Sequence, residues 1–161
     1  MEKKQDLKEL KENYKKIQEK YNLPSFENLN KDFGIEKAVE SETDYLIREV
    51  RKFIADKFSN YLRFTETLLQ PVNAPIFIYS MIKSCGQKEK EGLTEIYEKL
   101  AKKEIELIEL DIEFNEEKEA EFIKESYKLW QELKKEAKSI FETIKKNLGN
   151  KSETKEKGYF G

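Results

Sequence analysis

Apolar residues return every three or four positions in five separate stretches of this chain, and no two stretches alternate as a pair of strands would. That spacing points to an all-α helical bundle. It also resolves an unusual composition. Charged residues make up 40% of the 161 and apolar residues only 37%, where ordinary globular chains carry about 25% charged residues. Such a balance belongs either to a disordered chain or to long helices with one wet face and one apolar face, and the periodicity selects helices. A chain of this length is the size of one domain and buries enough surface to need no disulfide or metal staple. The expectation is a single domain of four to six helices over residues 1–149, followed by a polar, disordered tail over residues 150–161.

The first helix is expected from about Glu2 to Tyr21. Its apolar residues, Leu7, Leu10, Tyr14, Ile17 and Tyr21, follow spacings of 3, 4, 3 and 4, a heptad-like seam. So narrow a seam meets its neighbour along one line, either at the edge of its own bundle or against a partner chain or second copy. Pro24 ends the helix by pushing Leu23 out of helical conformation. Ser25 then caps a short helix carrying Phe26, Leu29 and Phe33, which Gly34 stops. A long helix follows, from Ser41 or Thr43 to about Gln70. Apolar residues from Leu46 to Leu69 cover nearly half its circumference, so it reads as the central helix.

Pro75 opens a short segment, Ile76 to Ile82, that is apolar all round and therefore expected to be buried, with a wet connector at Gln87–Glu91. Residues 92–115 carry a mixed signal. Leu110, Ile112 and Phe114 alternate with Glu109, Asp111 and Glu113 as in a strand, but a lone strand has nothing to pair with, so helix is the reading. Asn115 either caps a new helix or lies within a continuous one. From Glu116 to Leu148 one broad stripe runs through Phe122, Ile123, Trp130, Leu133, Ile140 and Ile144, with a stop at Gly149.

Several function classes fall away. Histidine is absent, which removes His-based acid–base chemistry, catalytic triads and most zinc and haem sites. A net charge of −2 gives no global field for nucleic acid or an anionic membrane. The densest apolar run, Ala74–Ile82, is too short to span a bilayer. One cysteine, Cys85, forms no internal disulfide and suits a reducing compartment. Met1 opens directly into a Lys/Glu-rich stretch, so no signal peptide is expected and the location read is cytoplasmic. No glycine-rich phosphate loop is present, and no cofactor, metal or catalytic residue is assigned.

A few positions stand out against this background. Arg48, Arg51 and Arg63 are the only arginines and all lie on the central helix. They read as an anion contact or as bridges to glutamates of neighbouring helices. Lys57 falls within an apolar face, either as a base of lowered pKa or as a stem lying across apolar surface. Glu106, Glu109 and Glu113 share a helical face, with Glu104 and Asp111 nearby, as magnesium-binding carboxylates or as a solvated face. Tyr45 projects on the wet side, whereas Trp130 sits in the last helix's stripe and is expected in the core.

The stretches Tyr21–Leu29 with Phe33-Gly34-Ile35, and Thr43–Arg51, resemble segments of small archaeal helical proteins of unassigned function. The resemblance covers a minor part of the chain, implies an archaeal origin and carries over no functional residue. The expected function is therefore non-catalytic, a scaffold or adaptor acting through a protein partner or a second copy of itself. Two alternatives stay open. An RNA- or ribosome-associated protein requires lysines to gather with Arg48 and Arg51 into one patch. A carboxylate–magnesium hydrolase requires the Glu106 group to face acidic residues of another helix across a pocket.

Overall fold

A computed structural model describes residues 6–41 and 43–159, with side chains as far as Asn150. Among the described residues six α-helices and one 3-10 helix follow in order: α1 Leu7–Tyr21, α2 Phe26–Phe33, the 3-10 helix Ile35–Glu40, α3 Leu46–Leu69, α4 Ile76–Lys83, α5 Gln87–Ile112 and α6 Glu116–Tyr159. The all-α expectation holds, with no strand among the described residues. None of their helices is long and apolar enough to cross a membrane. The chain divides into two compact units, Met1–Ser59 with Lys103–Trp130, and Asn60–Lys102 with Gln131–Gly161; α3, α5 and α6 each contribute residues to both.

In the first unit, local chemistry sets the helix ends. Asn22 takes the left-handed conformation at φ 55° and its N–H reaches the Gln18 carbonyl, closing α1. Ser25 Oγ accepts the Asn28 N–H at 3.2 Å, and Gly34, at φ 64°, closes α2 through the Asn30 carbonyl, both as the sequence predicts. Asn115 Oδ1 accepts the Lys118 N–H at 3.0 Å and caps α6, so residues 92–148 form two helices.

The seam of α1 faces inward. Leu10 and Tyr14 are buried, α1 packs on α2 and the 3-10 helix, and the Tyr14 ring meets Phe26 edge-on at 5.7 Å. Ile17 and Tyr21 are half-buried, and only Leu7 is exposed. At the end of the helix, the Tyr21 hydroxyl donates to Glu116 Oε1 at 2.8 Å with Lys20 beside it at 3.3 Å. That hydrogen bond and the nearby ammonium hold the Glu116 carboxyl below its ordinary range.

Burial, with Glu27 adding to it, pushes the Tyr14 phenol well above its usual pKa, so it stays a neutral donor to the Pro24 carbonyl. Tyr14→Phe should therefore cost about 1 kcal/mol, read as a lower denaturant midpoint at unchanged m-value.

Deeper in this unit, Ile47, Val50, Ile54 and Phe58 of α3 are buried, as are Leu107 and Leu110 of α5 and Phe122, Ile123 and Trp130 of α6. The second unit buries Leu68, Ile78, Met81, Leu93, Ile96, Leu100, Leu133, Ile140 and Ile144. Here a Cβ on Gly92 would fall 2.7 Å from Ile140 Cδ1, so a larger residue there requires the end of the Ile140 side chain to move.

Four expectations need correction. Gln87–Glu91 is the first turn of α5 rather than a connector, because a helix whose buried face begins at Leu93 can open with polar residues facing water. Helix α3 starts at Leu46 rather than at Ser41 or Thr43, since Thr43 Oγ1 accepts the Tyr45 N–H in a turn. Helix α4 is not buried all round: Ile76 and Phe77 are 85% and 63% exposed, and its buried residues are Ile78 and Met81 on one side. Gly149 does not stop α6, whose backbone runs on to Tyr159. The start expected at Glu2, and the side chains of the tail read at 151–161, lie outside the described residues.

Candidate functional site

The three arginines do not act as a group. Arg51 is 3% exposed; its Nε donates to Glu119 Oε2 at 2.7 Å, and its Nη2 donates to Glu119 Oε1 at 3.3 Å and Asp111 Oδ1 at 2.9 Å. Glu119 is itself 0% exposed. Burial alone would lower the guanidinium's pKa, but Glu119 and Asp111 outweigh it and hold the pKa above its ordinary value. Arg48 shares Asp111 at 3.5 Å and lies 5.9 Å over the Phe114 ring, which also packs on Tyr45. Arg63 is exposed and belongs to the second unit. Arg51 thus bridges to Glu119 and Asp111, and Arg48 makes a longer contact with the same Asp111.

Lys57 has a structural position. Its ammonium donates to the Asp32 carbonyl in the last turn of α2, 4.7 Å over the Trp130 ring and 5.6 Å over Phe33. The ammonium therefore sits at the negative end of a helix and against two aromatic faces. The seam Leu7, Leu10, Tyr14, Ile17 and Tyr21, weighed as a partner surface, has its centre inside the protein's own core. Cys85 is half-buried with its thiol donating to the Met81 carbonyl at 3.3 Å.

The carboxylates singled out between Glu104 and Glu113 separate into two sets. Glu104 accepts from Ser59 Oγ at 2.9 Å, and Asp111 belongs to the arginines. Glu106, Glu109 and Glu113 instead line a cleft of about 490 Å³ together with Glu121 and Glu125 of α6, and Leu110, Ile112 and Phe122 are also in its lining. Lys103, 7% exposed, reaches Glu106 at 2.7 Å and Glu125 at 3.0 Å. Among the described residues, no three His, Cys, Asp or Glu side chains gather closely enough to hold a metal ion.

Beside this cleft lies a row of exposed isoleucines, of which the sequence pattern singles out only Ile112. Ile105, Ile108 and Ile112 are 60%, 59% and 80% exposed. At 100° per residue they form one narrow stripe pointing away from the buried Leu107 and Leu110, so this end of α5 is apolar on two opposite sides. Neither protein-family models, curated proteins nor solved structures match this chain. Any functional reading rests on these surfaces.

The signal for the isoleucines was present in the spacing of 3 and 4. It is obscured by the strand-like alternation of Leu110, Ile112 and Phe114, which gives Ile112 a second apparent partner set.

Proposed function

We propose that this protein is a docking protein that holds another protein against the outer face of α5. The observation that carries this is the exposed isoleucine stripe. Three large aliphatic side chains at i, i+3 and i+7 are the spacing with which a helix meets a second helix. Contiguous exposed apolar patches on soluble proteins mark interaction sites more often than chance. The second unit also exposes apolar residues around α4, among them Val72, Ile76 and Phe77.

The test is the triple variant Ile105→Ser, Ile108→Ser, Ile112→Ser. Because these side chains already face water, Tm should stay within about 2 °C of the parent, a change of under 1 kcal/mol. A protein that co-purifies with the parent from the native host should be lost, with or without nuclease treatment. Retention of that partner by the triple variant would end the reading.

A magnesium-dependent hydrolase has one observation in its favour, the five glutamates that line one cleft. Lys103 occupies two of them. Hydrolysis of a nucleoside triphosphate that needs Mg²⁺ and disappears in Glu109→Gln would place that reading first.

A further inference from the structure

The inference drawn here rests on that docking reading and concerns the chemistry of what docks. We propose that the occupant of the α5 face is a lysine- or arginine-rich amphipathic helix. Its apolar side would lie on Ile105, Ile108 and Ile112, and its cations would enter the neighbouring glutamate cleft.

The stripe and the cleft are continuous. Ile112 belongs to both, 80% exposed on the outer face and at the same time part of the cleft wall. From Ile105 to Ile112 the stripe is about 10 Å long, two turns of helix. Glu109 and Glu113 flank it on the cleft side, and Glu121 of α6 lines the same cleft. The cleft is lined by five carboxylates and one ammonium, Lys118, and the buried Lys103 is already divided between Glu106 and Glu125. Glu109, Glu113 and Glu121 are all exposed, so they can meet an incoming cation without first losing a burial-dependent contact.

Charge also separates the candidate occupants. A second copy laid antiparallel on the same stripe would bring one set of cleft glutamates against the other. Like charges juxtaposed across an interface oppose association, whereas a basic helix turns the same carboxylates into attraction and a faster encounter. An apolar face bordered by acid therefore selects a partner that is apolar on one side and basic beside it.

The experiment uses the full chain and two synthetic amphipathic helices, one of leucine and lysine and its counterpart of leucine and glutamate. Titration is followed by calorimetry, and the protein's oligomeric state by light scattering. The Leu/Lys helix should bind and the Leu/Glu helix should not. Binding should weaken at least tenfold in the Ile105→Ser, Ile108→Ser, Ile112→Ser variant. It should weaken about as much in Glu109→Gln, Glu113→Gln, Glu121→Gln, and should fall steeply with added salt. Equal binding of both helices, or unchanged binding by the glutamine variant, overturns the basic-partner inference. So does a dimer of the parent chain that the isoleucine variant abolishes.

The two levels fail separately. If the native partner is lost from the serine variant but kept by the glutamine variant, docking on α5 stands and the charge inference fails. If the serine variant keeps it, the docking reading itself is wrong.

Discussion

Arg51→Met should destabilise the chain by about 3–5 kcal/mol, a fall in Tm of roughly 10 °C or more. The reason lies in what the substitution leaves behind. Glu119 is fully buried, and both of its oxygens take hydrogen bonds from the Arg51 guanidinium. Without that partner a carboxylate remains in a low-dielectric interior, and it must either stay charged at high cost or bind a proton. Glu119→Leu should cost a similar amount by stranding Arg51, although Asp111 still supplies part of its compensation. The double variant Arg51→Met, Glu119→Leu is the informative one. With neither charge left to desolvate, its loss should be far smaller than the sum of the single losses. Asp111→Asn should cost less than either, because Asp111 is largely in water. Denaturant melts of the four proteins close the cycle. Additive single losses would mean that the buried pair is not coupled as its geometry says.

The elements legible in the sequence are those whose chemistry is local. Ser25 and Gly34 bound α2 because a capping hydroxyl and a left-handed glycine act within three or four residues of themselves, so the string alone displays them. The helix at 92–112 was legible for a different reason, the absence of any second strand to pair with its alternating residues. What stayed hidden depends on partners far along the chain. Arg51 and Glu119 are 68 residues apart, and nothing near either one identifies the other.

Apolarity also misled at α4, where a run apolar on every side was read as buried. An eight-residue helix with one side inward leaves Ile76 and Phe77 in water whatever their hydrophobicity. The same ambiguity concealed Ile105 and Ile108. A residue's dislike of water states what it would gain from a neighbour and not which neighbour, whether its own core or another chain. The glutamate group was recognised on α5, but the α6 members of the cleft, Glu121 and Glu125, became visible only when α6 was in place.

The other large effect is expected at Phe58, which should cost about 3–5 kcal/mol when replaced by alanine. Its ring is buried and forms a triangle with two others, 6.3 Å from Phe33 and 6.1 Å from Trp130, which lie 6.2 Å from each other. These rings come from α3, α2 and α6, so the triangle joins three helices of the first unit. Alanine removes the apolar area of the ring and leaves a cavity whose rigid aromatic walls collapse poorly. It also removes two ring–ring contacts worth about 0.5–1.5 kcal/mol each beyond area. Phe58→Leu keeps most of the volume and should cost well under half as much. Trp130 is the chain's one tryptophan, so its fluorescence reports on this cluster. The unfolding midpoint followed by that emission should fall in the order parent, Phe58→Leu, Phe58→Ala, and the native emission of Phe58→Ala should already differ from the parent's. Lys57, held over two of the same rings by the Asp32 carbonyl, supplies an internal control. Lys57→Met keeps the stem and should move the midpoint less than Phe58→Ala, because it removes a cap and a cation but opens no cavity. If Phe58→Ala costs under about 1 kcal/mol, the three rings do not pack as a unit and the joint between α2, α3 and α6 lies elsewhere.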